Sequence, residues 1–223
     1  MIIRLYQTSI GKKYVMAVSG CLLLGFVSVH LLGNLQVFLG TDTINAYAAM
    51  LKGNQLLVWT ARLVLLTIAM VHITTGLGLA FENRAARPVA YATPIVPYAD
   101  YSSRTMLLSG LAVFAFVLYH LLHFTVGVTH PEIMQFRDTQ DRPDVYRMMI
   151  LGFSHPAVSG MYILALVLLY LHLNHGISSF FQSLGLKNRH YRDFVECLAR
   201  GAALVLFAGF CAIPMAVLTG WLR

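Results

Sequence analysis

Five continuous apolar stretches constrain this chain more than any other feature. They cover about residues 13–39, 56–81, 104–128, 156–181 and 194–222, and each matches the roughly 20 residues that a helix needs to cross a hydrocarbon core. Their apolar residues run on without the alternation of a barrel strand. A helix also satisfies its own backbone N–H and C=O groups, which lipid cannot do. The fold class that follows is an all-α membrane protein with five transmembrane helices. Residues 1–223 form one domain with no detectable repeat, and the loops are too short for a soluble catalytic domain. Composition agrees. Only 11% of residues are charged and 58% are hydrophobic, with mean hydropathy +0.69, whereas a soluble domain carries roughly 25% charged residues.

Between the spans, INAYAAML has the apolar spacing of a short interfacial helix. The segment ENRAARPVAYATPIVPYADYSS carries Pro88, Pro94 and Pro97, which argue for a long irregular loop. Residues 130–154 read as a second loop, holding Glu132, Asp138, Asp141 and Asp144. Pro156 suits the first turn of the fourth span, and Pro214 should kink the fifth.

The net charge of +7 comes from basic residues beside the spans, which speaks of membrane orientation and not of nucleic acid. Alternating the spans puts ten basic residues on the side of the amino terminus: Arg4, Lys12, Lys13, Arg84, Arg87, Arg104, Lys187, Arg189, Arg192 and Arg200. The other side has six. The amino terminus should therefore face the cytoplasm. The run after Lys12 and Lys13 is too long for a signal-peptide core and lacks an A-x-A site, so no cleavage is expected. Cys21, Cys197 and Cys211 are far apart, without a CxxC or CxxCH motif. They read as small buried hydrophobes, and exclude an iron–sulfur cluster or covalent haem on this chain.

An imidazole inside hydrocarbon is costly and marks a functional site. Four of the five spans carry one or two: His30, His72, His120 with His123, and His172 with His175. With spans alternating in direction, His30 and His123 lie about 17 to 19 residues from the inner edge, in the outer half at 1.5 Å per residue. His72 and His175 fall in the inner half by the same measure. Two pairs at two depths suit two non-covalent haem b groups, each held between imidazoles on facing helices. His120/His123 and His172/His175 are three residues apart, so either member of each could face the bundle. Ser19, Ser103, Arg104 and Lys187 are candidate contacts to haem propionates or a quinone. The absence of carboxylates from the centres of the first four spans counts against a pump, channel or transporter.

The motifs TSIGKKYVMAVSGCLLLGFVSVHLLGNL, NAYAAML, SRTMLLSG…YHLLHFT and LHLNHGISSFFQSLGL resemble the membrane-anchor cytochrome b subunit of succinate dehydrogenases and fumarate reductases. The branch is the one with a single five-helix anchor and two haems, and the likeness covers essentially the whole chain. It implies a bacterial cytoplasmic-membrane subunit that passes electrons from an iron–sulfur subunit to a quinone, menaquinone by preference. A flavoprotein subunit with FAD would carry the dicarboxylate chemistry, and the resemblance is compatible with a higher-order oligomer of the complex. Aligning on the HG of the fourth span selects His175, and the distance to Pro131 selects His123. The resemblance therefore implies His30 and His123 on the outer haem, His72 and His175 on the inner, with His120 and His172 as alternatives. Some fumarate reductases of the family have a glutamate two residues before the fourth-span ligand. Leu173 stands there, so the likeness does not extend to that proton path. The competing reading is the cytochrome b subunit of another membrane dehydrogenase, such as a hydrogenase or formate dehydrogenase.

Overall fold

The computed structural model describes residue 6, residues 8–86 and residues 105–223. Those residues are mostly helical, with no strand and one isolated antiparallel bridge between Arg137 and Pro143. In chain order the helices are α1 (Ser9–Leu35), α2 (Thr41–Gly53), α3 (Gln55–Ala85), α4 (Met106–Leu121), α5 (Val145–Phe153), α6 (Pro156–Ser183) and α7 (Arg192–Leu218). A 3-10 turn, Gln36–Leu39, continues α1, and a π-helical turn, Leu122–Val126, continues α4. Five helical segments are long and apolar enough to cross a membrane: Ser9–Leu39, Gln55–Ala85, Met106–Val126, Pro156–Ser183 and Arg192–Leu218. These are the five spans expected from the sequence, with ends shifted by a few residues. Pro88, Pro94 and Pro97 lie outside the described residues.

The helix ends have local causes. Thr8 opens α1, its hydroxyl accepting from the Gly11 N–H at 3.0 Å, and Asn54 caps α3 through the Leu57 N–H at 3.0 Å. Each satisfies one of the donors that a helix start leaves unpaired. Pro156 begins α6, where its missing N–H costs nothing. After the π-turn, Gly127 takes a left-handed φ of 76° and turns the chain out of α4.

Residues 130–154 are more ordered than a loop. They hold a 3-10 turn, Pro131–Met134, and the nine-residue α5. Asp144 caps α5, accepting from the Arg147 N–H at 3.0 Å, and Met149 and Phe153 bury one face in a cluster with Val37, Ile44, Tyr162 and Ile213. Too short to span a membrane, α5 owes its stability to this cap and contact. The fully buried Asn45 of α2 ties the same segment down. Its amide donates to Asp144 and Asp138 at 3.1 and 3.3 Å, and its carbonyl accepts from the Tyr146 N–H at 3.0 Å. Arg142 completes the clasp, bonding Asp138 and Asp42 at 2.7 Å each. Desolvation alone would raise the Asp138 carboxyl. The backbone N–H and guanidinium of Arg142, the Gln140 N–H and the Asn45 amide outweigh it and hold the group at about 2.

Four helices make a square. The α1–α3, α4–α6 and α1–α6 sides are well packed and the α3–α4 side is looser, while α7 lies outside the square along α6 and α1. Ala199 and Ala203 on α7 are fully buried, and a Cβ at Gly209 would come within 2.8 Å of Leu31. Small residues thus let α7 approach closely, the usual packing device of membrane helices. The diagonals of the square, α1 with α4 and α3 with α6, are not packed neighbours. The histidines sit on those diagonals.

Candidate functional site

Near the amino-terminal end of the bundle, His72 of α3 faces His172 of α6 across one diagonal, with ring centroids 6.4 Å apart. Toward the end that carries α2 and α5, His30 of α1 faces His120 of α4 across the other, at 5.8 Å. Diagonal placement is what keeps a space between each pair, because the backbones behind the rings do not touch.

The first pair is held by two matched hooks. The Ser19 hydroxyl donates to the Val15 carbonyl at 2.7 Å, so its oxygen accepts from His72 Nδ1, 3.0 Å away. Ser109 repeats this, donating to the Met106 carbonyl at 3.1 Å and standing 3.5 Å from His172 Nδ1. With the serine proton committed, the imidazole carries its own proton on Nδ1 and leaves the Nε2 lone pair for a metal. The following residue makes room for each ring. A Cβ at Gly20 would lie 3.2 Å from His72 Cε1, and one at Gly110 would lie 3.2 Å from His172 Cε1.

The second pair has a different surround. His30 stacks on Phe26 at 5.5 Å and packs near Phe210 at 6.0 Å. His120 lies among Phe116, Phe124 and Tyr162, with the Tyr162 hydroxyl 3.5 Å from its Nδ1.

Of the four histidines preferred by the resemblance, His30 and His72 stand on the diagonals, whereas His123 and His175 stand off them. His123 is fully buried, stacked on Phe124 at 4.1 Å, with Nδ1 2.9 Å from the Tyr162 hydroxyl. His175 has its Nε2 bonded to Ser179 Oγ at 3.0 Å, so the nitrogen that a haem would need is already engaged. Of the candidate propionate or quinone contacts, Ser19 is spent on Val15 and His72. Lys187 bonds Ser178 Oγ at 2.7 Å and Glu196 at 3.3 Å. Ser103 and Arg104 lie outside the described residues.

One signal in the sequence distinguishes the paired histidines from their neighbours. SG followed by nine residues and HLL occurs twice, at residues 19–32 and 109–122. The pattern H-x-x-x-G occurs three times, as HITTG at 72–76, HFTVG at 123–127 and HLNHG at 172–176. The first pattern relates α1 to α4 and matches His30 with His120. This local repeat was missed because the apolar positions around it are interchangeable in a membrane span and dilute any similarity.

The residues fit haem on three grounds. Imidazole nitrogen sits about 2 Å from a bound transition metal, and its ring centroid roughly 1 Å farther back, so two imidazoles sharing one metal from opposite sides have centroids about 6 Å apart. Both pairs meet that spacing. The four rings keep partial exposure although they lie in the middle of their spans. A haem brings its own equatorial nitrogens and needs only two axial ligands from the chain, which is what each pair offers. Comparison with protein-family models, with curated proteins and with solved structures gave no match.

Proposed function

We propose that the chain is the two-haem cytochrome b membrane anchor of a succinate:quinone oxidoreductase, with His72 and His172 as axial ligands of one haem and His30 and His120 of the other. The observation that carries the reading is the pairing of four mid-span histidines across both diagonals at metal-sharing distance. The sequence resemblance supplies the enzyme class. Haem bound at the two levels would supply one-electron centres stacked across the membrane, with potentials set by axial ligands and local polarity.

The chain's own residues do the rest. Ser19 and Ser109 fix the tautomer of the inner ligands, and Gly20 and Gly110 seat their rings. The excess of basic residues on the amino-terminal side places that side in the cytoplasm, so His72 and His172 form the inner level and His30 and His120 the outer. Lys12, Lys13, Lys187, Arg189 and Arg200 give the cytoplasmic face a positive field for an iron–sulfur partner, itself joined to an FAD flavoprotein. A membrane quinone, menaquinone by resemblance, is the electron acceptor, and the bacterial cytoplasmic membrane is the location. With His172 as ligand, the position two residues before it is Tyr170 instead of Leu173. Neither is a carboxylate, so the departure from the family's proton path stands.

The test is a reduced-minus-oxidised spectrum of the purified chain, with haem counted per protein. Two b-type haems, and co-purification of a flavoprotein and an iron–sulfur protein with succinate:quinone activity, are expected. Absence of a b-type signal removes the haem reading. Haem with a hydrogenase or formate dehydrogenase partner instead moves the chain to the competing class.

A further inference from the structure

The surplus histidine of α4 has an arrangement that its neighbour explains. Tyr162 of α6 is buried and presents one hydroxyl to two imidazoles, 2.9 Å from His123 Nδ1 and 3.5 Å from His120 Nδ1. A phenol has one proton to give, so it can donate to only one of them and must accept from the other. For His120 to offer Nε2 to a metal, its proton must sit on Nδ1, where it donates to the Tyr162 oxygen. The Tyr162 proton then goes to His123 Nδ1, the shorter contact. His123 in turn carries its proton on Nε2.

That last nitrogen is buried without a hydrogen-bond partner, and so is Nδ1 of His130, whose ring centroid lies 5.4 Å from that of His123. Buried polar atoms left unpaired are rare and costly. Here an orphan donor and an orphan nitrogen able to accept occur on adjacent rings, close enough to meet directly or through one water. The chain therefore has a direction: His120 to Tyr162 to His123 to His130.

We propose that Tyr162 and His123 are positioning residues for His120, forming a one-way hydrogen-bond chain that locks its tautomer, with His130 as the terminal acceptor. His123 is then not a spare ligand but the second link behind the ligand. The proposal rests on the haem reading and on His120 as the ligand. An acceptor on Nδ1–H makes the metal-bound imidazole more basic and favours the oxidised metal. Removing it should raise the potential of that haem and leave the other unchanged.

The experiment is a redox titration of the purified chain with Tyr162→Phe, alongside His123→Gln as a second variant that keeps a polar side chain of similar size. Both variants are expected to retain two haems. In Tyr162→Phe one haem should become harder to oxidise, by roughly tenfold in its oxidised-to-reduced ratio at a fixed poise, about 59 mV for one electron. In His123→Gln the same haem should move the same way by less. Two haems with unchanged potentials in both variants would overturn this inference and leave the haem reading intact. Loss of one haem in His123→Gln would make His123 the ligand and also overturn it. A wild-type chain without b-type haem would sink the haem reading itself and this inference with it, so the two failures are told apart by the wild-type spectrum.

Discussion

The two histidine levels differ in what stands behind the rings. At the inner level each ligand has its own serine, Ser19 for His72 and Ser109 for His172, on a neighbouring helix. At the outer level His120 has a tyrosine with further imidazoles behind it, whereas His30 is surrounded by Phe26 and Phe210. The inner surround is symmetric and short-ranged. The outer one is lopsided, and its hydrogen bonding runs away from the site toward His130 and the segment leading to α5. With haem bound as proposed, ligand identity would be the same at both levels, and any difference in potential would come from these surrounds.

Single-ligand replacements break the comparison most completely. His30→Ala or His120→Ala should halve the haem content by removing the outer group, and His72→Ala or His172→Ala should remove the inner. His175→Ala should keep both, and haem extraction and counting would read the difference. Next in size is Gly20→Leu, whose side chain must occupy the position of the His72 ring. It should lose the inner haem, while Gly201→Leu, which meets open space, keeps both.

The outer level can be loosened without touching a ligand. Asn45→Leu leaves the Tyr146 N–H without its partner, which costs about 1–3 kcal/mol for a buried group, and takes one donor each from Asp138 and Asp144. It should lower the thermal midpoint and weaken retention of the outer haem first. Ser19→Ala is gentler. Removing one such support typically costs about 10-fold in affinity at the low end, and only the inner haem's release rate should change.

Acid gives the smallest effect. The Asp138 carboxyl sits at about 2 in the folded chain and near 3.9 when unfolded. Its stabilisation is therefore fully present above about pH 4 and is lost as the pH falls toward 2. Thermal midpoints over that range should fall in the wild type and flatten in Asp138→Asn.

The spans were legible because a run such as residues 19–35 can be satisfied only by a helix in lipid. The short helix over INAYAAML was legible from its spacing, and α2 contains it. The nine-residue α5 was not, because nothing in VYRMMILGF exceeds the length of an ordinary loop, and its order comes from Asn45, about a hundred residues away in sequence. Depth was also legible, since it follows from counting residues. The choice between His120 and His123 was not: three residues turn a side chain by most of a helical turn, and which one meets the diagonal depends on how α4 is rotated against α6. The same holds for His172 against His175. The repeated SG-x9-HLL pattern matches His120 with His30, in a form that shows only when the spans are compared with each other.

Each diagonal takes one histidine from the first half of the chain and one from the second: α1 with α4, and α3 with α6. Neither half owns a complete pair. During synthesis the growing chain could thus insert α1, α2 and α3 into the membrane and still be unable to grip either haem on both faces. On the proposed assignment the His72–His172 level would close only after His172 has emerged, so its haem would load after α1 to α4 have been made. Once loaded, the two groups would act as crossed ties between halves that were laid down separately.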